Sequence, residues 1–191
     1  MKIALFLLAL LFVLCGFLIL QPRLFSNAPP IDYYQGIPLY SNGADYTKSH
    51  GRYYHWSGYY YGQKWQCVEF IKRFLFLHKN HRMPNVMGHA IDFYNPQLCS
   101  GELNSERGML QYKNGDIFSP QPDDLIVFKN PFPYGHVAIV IEVERNFLTF
   151  IQQNVGENTR EKIAIEKIGN HYFIGSKSME LLGWLRVPEK N

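Results

Sequence analysis

From residue 124 onward the chain is a series of short apolar runs cut apart by turn residues, and this constrains its fold more than any other feature. "DLIVF" (124–128), "HVAIVIEVE" (136–144), "FLTFIQQN" (147–154), "KIAIEKI" (162–168) and "LLGWLRV" (181–187) are rich in branched and aromatic residues, and "HYFI" (171–174) is a further candidate. Runs of this length between turn signals predict successive antiparallel strands. Upstream, "WQCVEFIKRFLFLHKN" (65–80) changes period, with Cys67, Phe70, Ile71, Phe74 and Leu75 on one face of a helix. Glu69, Lys72, Arg73 and Lys79 fall mostly on the other face, so the helix starts just before Cys67. "NVMGHAIDFYN" (85–95) is a candidate second short helix, and residues 96–123, rich in Gly, Pro, Asn and Asp, read as loop. A helix followed by a run of antiparallel strands predicts an α+β domain.

The N-terminus stands apart. Lys2 precedes "IALFLLALLFVLCGFLIL" (3–20), which carries no charge. As a helix these residues extend about 27 Å, close to the hydrocarbon thickness of a bilayer. A cleavable signal usually has a shorter apolar run and a small-x-small site. The nearest such site, "SNA", is followed by Pro29, and Leu14 is too bulky to precede a lipidated Cys15. The expected organisation is a transmembrane signal-anchor over residues 1–22, a linker over 23–35 and one domain over 36–191. The domain is expected outside the cytoplasm, on the periplasmic side, although Lys2 and Arg23 leave the positive-inside rule little to count.

Charge excludes more than it assigns. The net charge is +3, from 19 Lys and Arg against 16 Asp and Glu, and the basic residues form no dense cluster, so no nucleic-acid partner is expected. The seven histidines and three cysteines show no metal-ligand spacing. No Gly-rich phosphate loop is present, so no metal or cofactor is assigned.

The chemistry centres on Cys67. A thiol in the first turn of a helix lies at the positive end of the helix dipole, which favours the nucleophilic thiolate. Such a thiolate needs an imidazole, and the imidazole needs a polar group to orient it. His136 opens an apolar strand in "PYGHVAIV", and "IQQN" on the next strand sets amides into an apolar segment. A Cys on a helix, a His at a strand start and an amide on the neighbouring strand is the arrangement of papain-like cysteine hydrolases. Strand alternation puts His136 on the face of residues 138, 140 and 142. The turn near Arg145 decides which amide joins it, so spacing leaves Gln152, Gln153 and Asn154 open. A buried packing thiol, a structural histidine or a Cys67–Cys99 disulfide also meets the spacing.

"YYYGQKWQCVEFIKRFLFL" resembles the nucleophile segment of the amidase domain of bifunctional glutathionylspermidine synthetase/amidase, a member of the CHAP group of cysteine, histidine-dependent amidohydrolases/peptidases. "GHVAIVIEV", "IQQNV" and "LGWLRV" are similar to its histidine, third-residue and C-terminal segments, so the likeness runs from about residue 36 to 187. It implies a papain-like fold whose helix carries Cys67 as nucleophile and packs on an antiparallel sheet, with His136 as general base and then acid. It also implies Gln152 as the third residue and Asn154 as a pocket residue. Two departures stand out. The family's third residue is usually Glu, and Gln152 is neutral. The family's substrate-binding Arg is Lys72 here, a point charge without a bidentate fork.

The resemblance implies an enzyme that cuts a peptide-like amide through an acyl-thioester. A glutathione–polyamine conjugate is the first expected substrate, and a peptidoglycan peptide is the alternative. A catalytically weak CHAP module that only binds its ligand is the reading from another class, and the neutral Gln152 supports it.

Overall fold

The computed structural model describes residues 29–129, 134–175 and 180–189 of the 191-residue chain. Two hairpins come first: β1 (Asp32–Tyr34) with β2 (Ile37–Leu39), and β3 (Arg52–Tyr54) with β4 (Tyr60–Gln63). Gln35 and Gly36 both have positive φ, the signature of a two-residue primed turn whose twist matches its strands. Helix α1 (Cys67–Leu77) follows, then a 3-10 turn at Ile91–Phe93. The remaining strands are β5 (Glu102–Asn104), β6 (Met109–Lys113), β7 (Leu125–Lys129), β8 (His136–Val143), β9 (Phe147–Ile151), β10 (Arg160–Ile168), β11 (His171–Gly175) and β12 (Glu180–Arg186). They form one eight-stranded sheet in the order β11-β10-β9-β8-β7-β12-β6-β5, antiparallel at every pairing.

Both faces of the central strands are buried, which is why "DLIVF" reads as an unbroken apolar run. Leu125, Val127, Val137, Ile139, Ile151 and Leu185 meet the apolar face of α1, namely Cys67, Phe70, Ile71, Phe74 and Leu75. The alternate residues Ile126, Phe128, Ala138, Val140, Phe150 and Trp184 build a second core with Leu148, Ile163, Ile165 and Ile174. The sheet curls around this second core until β11 meets the segment after β6. There the Asn114 amide donates to the carbonyls of Ile174 and Leu181, and Tyr172 N–H donates to the Asp116 carbonyl.

The structure corrects several expectations. The fold class is not α+β with a leading transmembrane helix. The described chain is mostly β-sheet, with α1 as its one α-helix. The single-pass membrane placement, with the membrane as a partner and the domain outside the cytoplasm, is not upheld either. Among the described residues no helix is long and apolar enough to cross a membrane. The 11 residues of α1 span only about 16 Å of the about 30 Å required. Residues 3–20, on which that expectation fell, lie outside the described residues.

The candidate second helix is only the 3-10 turn, for a definite reason. Gly88 has φ +107, and the buried Arg107 guanidinium claims carbonyls that a helix would use, donating to Asn85, Met87 and Asp92 oxygens at 2.8, 3.1 and 2.9 Å. Residues 96–123 are not all loop: β5 and β6 lie within them, kept short by the turn at Glu106–Gly108. Cys67 and Cys99 are both free thiols, so the disulfide reading fails.

Gly183 marks where two strands pass too closely for a side chain. A Cβ there would collide with the Tyr112 carbonyl on β6 and lie 2.8 Å from the Tyr94 ring. Gly183→Ala is expected to lower stability by about 3 kcal/mol, the scale of an overpacked core. The check is the urea midpoint at unchanged m-value; a wild-type midpoint would show that this contact does not set the strand spacing.

Candidate active site

The site lies where the start of α1 meets the end of the sheet. Gln66 is extended at the N-cap, so Cys67 is the first helical residue and its side chain is placed by the first turn. His136 is the first residue of β8, opposite Phe128 on β7, and the two rings stack with centroids 6.3 Å apart. The preceding Gly135 has φ +63, and a Cβ there would press on the Phe128 carbonyl and on Ile91 at 2.8–2.9 Å. Only glycine lets the chain enter β8 at this angle.

The amide left open by spacing is resolved by a register shift. β8 and β9 pair as Val140 with Phe150, and a bulge between Val140 and Glu142 brings the even residues of β9 onto the face of His136. Gln152 continues that face. His136 Nε2 and Gln152 Oε1 are 2.9 Å apart, both side chains buried. Gln153 turns the other way and ties the sheet to the helix. Its amide N–H₂ donates to Glu69 at 2.8 Å and to the Gln66 carbonyl at 3.1 Å, and its oxygen accepts from Tyr40 N–H. Asn154, at φ +71, donates to the Gln66 side-chain oxygen at 2.6 Å and to the Tyr46 carbonyl at 2.8 Å. The three amides thus hold the histidine, the helix start and the 46–48 loop, in that order.

Cys67, His136, Asn154 and Lys72 all line one cleft of about 830 Å³. Gln152 stands behind His136, away from the cleft lining. The rest of the wall includes Tyr46, Tyr60, Val86, His89 and Tyr134. Cys67 sits against the strand that begins with His136. The N–H groups of Val137, Val68 and Cys67 itself point at its sulfur.

The electrostatics differ from the thiolate expectation. Burial pushes the Cys67 thiol up to about 11, against the opposing pull of those three N–H groups. Burial likewise pushes His136 down to about 4, with the Gln152 hydrogen bond acting the other way. The resting pair is therefore neutral thiol and neutral imidazole. Desolvation outweighs the helix dipole here because both groups are almost wholly shielded from water.

Lys72 was expected on the solvated face of the helix, with Glu69 and Arg73, but all three are buried. Arg73 Nε donates to Glu69 at 2.6 Å, and Arg73 Nη1 donates to the Pro38 carbonyl at 2.6 Å. The second hairpin and β2 pack over what would otherwise be the outer side of α1. The i,i+4 spacing of Glu69 and Arg73 was the available sequence signal for this pair. Lys72 Nζ donates to the Val86 carbonyl at 2.7 Å and lies 4.7 Å over the Tyr60 ring. Burial and then the nearby Arg107 charge pull its pKa down to about 8.

If His136 is the base, kcat/KM should hold its plateau well below neutrality and fall with an apparent pKa near 4, because the group must be neutral to accept a proton and burial keeps it so. A limb at the ordinary histidine value near 6.5 would contradict this environment. Gln152→Ala should cost about tenfold to a thousandfold in kcat. Gln152→Glu should move the acid limb upward, because a carboxylate stabilises imidazolium.

The chain is 33% identical over 100 residues to bifunctional glutathionylspermidine synthetase/amidase of Escherichia coli (strain K12), covering 50% of this chain and 16% of that protein. It is 30% identical over 120 residues to trypanothione synthetase of Crithidia fasciculata, covering 62% and 18%. The chain thus spans about a sixth of the length of these curated relatives. Among solved structures, the crystal structure of Ly7917 is similar at a TM-score of 0.37 and 14% identity, over 63% of this chain and 52% of that one, too distant to bear on the fold. The CHAP domain family matches residues 57–154, just over half of the chain, and carries the essential chemical assignment, a cysteine-dependent amidase or peptidase. On this evidence the chain belongs to the CHAP domain family.

Proposed function

We propose that this protein hydrolyses a small peptide-like amide whose acyl part carries a carboxylate or ends in glycine, with Cys67, His136 and Gln152 as its triad. The observation that carries this reading is the presence of a thiol, an oriented imidazole and a buried lysine in one cleft. The His136 Nε2–H donates to Gln152 Oε1, which leaves Nδ1 as the basic nitrogen. As the Cys67 sulfur attacks the carbonyl carbon, Nδ1 takes the thiol proton. The tetrahedral oxyanion is held by the Cys67 backbone N–H, which the helix leaves unused at its first turn. The imidazolium then gives its proton to the leaving amine, and an acyl-thioester remains. Water, deprotonated by the same nitrogen, attacks the thioester; the acid leaves and the proton returns to sulfur. The neutral resting pair fits a proton that moves during attack rather than beforehand.

Lys72 would bind the acyl carboxylate, and the tyrosines of the cleft wall would receive the amine side. The relatives are named for glutathionylspermidine and trypanothione, so a glutathione–polyamine amide is the leading substrate. A polyamine cation suits the faces of Tyr46, Tyr60 and Tyr134.

The deciding experiment offers glutathionylspermidine and purified peptidoglycan to the protein in parallel. Release of spermidine is the expected result. Muropeptide release without spermidine would overturn the substrate, and binding without turnover of either would make this a binding module. Cys67→Ser should abolish turnover while Cys99→Ser, on the exposed thiol, keeps it. Lys72→Met should raise KM about tenfold or more with kcat nearly unchanged, as for loss of a charged contact made equally in ground and transition states. In the wild type KM should rise as pH passes about 8, where Lys72 loses its proton. A KM flat from pH 7 to 9.5 would remove Lys72 from substrate binding.

A further inference from the structure

The triad proposed above has a neutral third member, and its amide has two chemically opposite ends. His136 can present a bare Nδ1 only if its Nε2 carries the proton, and that requires the oxygen end of Gln152 to face it. The flipped amide would offer N–H₂ to the ring and favour the wrong tautomer. Something must therefore choose between the ends.

Glu161 is placed to do this. It stands on β10 opposite Phe150 of β9, on the same face as Gln152, whose backbone N–H donates to the Thr159 carbonyl at 2.8 Å. The Gln152 amide nitrogen donates to Glu161 Oε2 across a long 3.4 Å contact. A carboxylate only accepts, so only the productive orientation of Gln152 satisfies both His136 and Glu161. The neighbouring cations are committed elsewhere. Arg160 pairs with Asp32 at 2.9 Å and Lys162 with Glu144 at 2.7 Å. Among the described residues Glu161 takes part in no ion pair, and its side chain's hydrogen bond goes to Gln152. Against His136 itself the Phe128 ring stacks, and among the described residues the one polar side chain that acts on the imidazole is Gln152.

We infer that Glu161 is a positioning residue that acts through Gln152. It holds the amide with its oxygen toward His136 and supplies, one side chain removed, the negative charge that Gln152 lacks. Hydrogen bonds in series polarise one another, so a carboxylate on the amide nitrogen makes the amide oxygen a stronger acceptor for the imidazolium formed during turnover. Glu161 touches neither thiol nor ring, and its effect passes entirely through the carboxamide.

The inference rests on the His136–Gln152 pair of the proposed triad, and its test is chosen to stand apart from the substrate. Histidine-labelled protein in a Cys67→Ser background is titrated by NMR with and without Glu161→Gln. The expected results are a resonance of the Nε2–H tautomer in the parent and a lower His136 pKa with mixed tautomers in the variant. In catalytically intact protein, Glu161→Gln should lower kcat about tenfold at nearly unchanged KM, the scale of a weakened hydrogen bond to a charged group. In a Gln152→Met background, where no amide remains to orient, the same substitution should have no further effect. Unchanged tautomer signals with kcat within twofold of wild type would overturn the inference. So would an equal loss in the Gln152→Met background, which would mark Glu161 as merely structural. An inactive wild type with an intact Glu161-dependent tautomer shift would instead sink the proposed function and leave this inference standing.

Discussion

The structure depends on three successive amides at the end of β9. Gln152, Gln153 and Asn154 point to the histidine, to the helix start and to the 46–48 loop. Gln153 is the central member. It reaches both Gln66 and the buried Glu69–Arg73 pair, so the first turn of α1 is hydrogen-bonded to the strand that orients His136. Breaking a buried ion pair by removing one member is costly, because the other is left charged in the interior. This links the positions of Cys67 and His136 through a polar network rather than through apolar packing alone.

Much of this was legible in the residues. The helix over Cys67–Leu77 announces itself by the apolar spacing of Phe70, Ile71, Phe74 and Leu75. The strands from Leu125 to Arg186 announce themselves by branched and aromatic runs between turns. Cys67 and His136 stood out because each lies at the start of such an element. What stayed hidden was set by distant partners. No local pattern near residues 85–92 reveals that Arg107 will take their carbonyls and stop a helix. Nothing in the spacing of Glu69, Lys72 and Arg73 shows that a hairpin will cover them. The choice of Gln152 over Gln153 depended on a bulge in β8, which the alternation of apolar residues does not encode.

The thiol illustrates why local rules were insufficient. A helix N-terminus favours an anion by a modest amount, whereas removing a charge from water costs far more. Cys67 experiences both, and burial wins. A thiol held neutral at ordinary pH is a poor target for adventitious oxidants and electrophiles, since the thiolate is the reactive species. In the proposed mechanism such a thiol is a latent nucleophile, and His136 the imidazole that accepts its proton.

Arg107 also separates architecture from recognition. Its guanidinium grips the loop of residues 85–92 through main-chain oxygens alone. Every residue type offers the same carbonyl, so these contacts make no demand on side chains; the loop's other constraints sit at Gly88, with its positive φ, and at Asn85 and Asp92, whose side-chain oxygens accept from Met87 and His89 N–H. Val86, Met87 and His89, which face the cleft, lend their side chains to none of these hydrogen bonds. This wall can drift in shape and polarity, changing which molecules the cleft admits, while the scaffold beneath it remains in place.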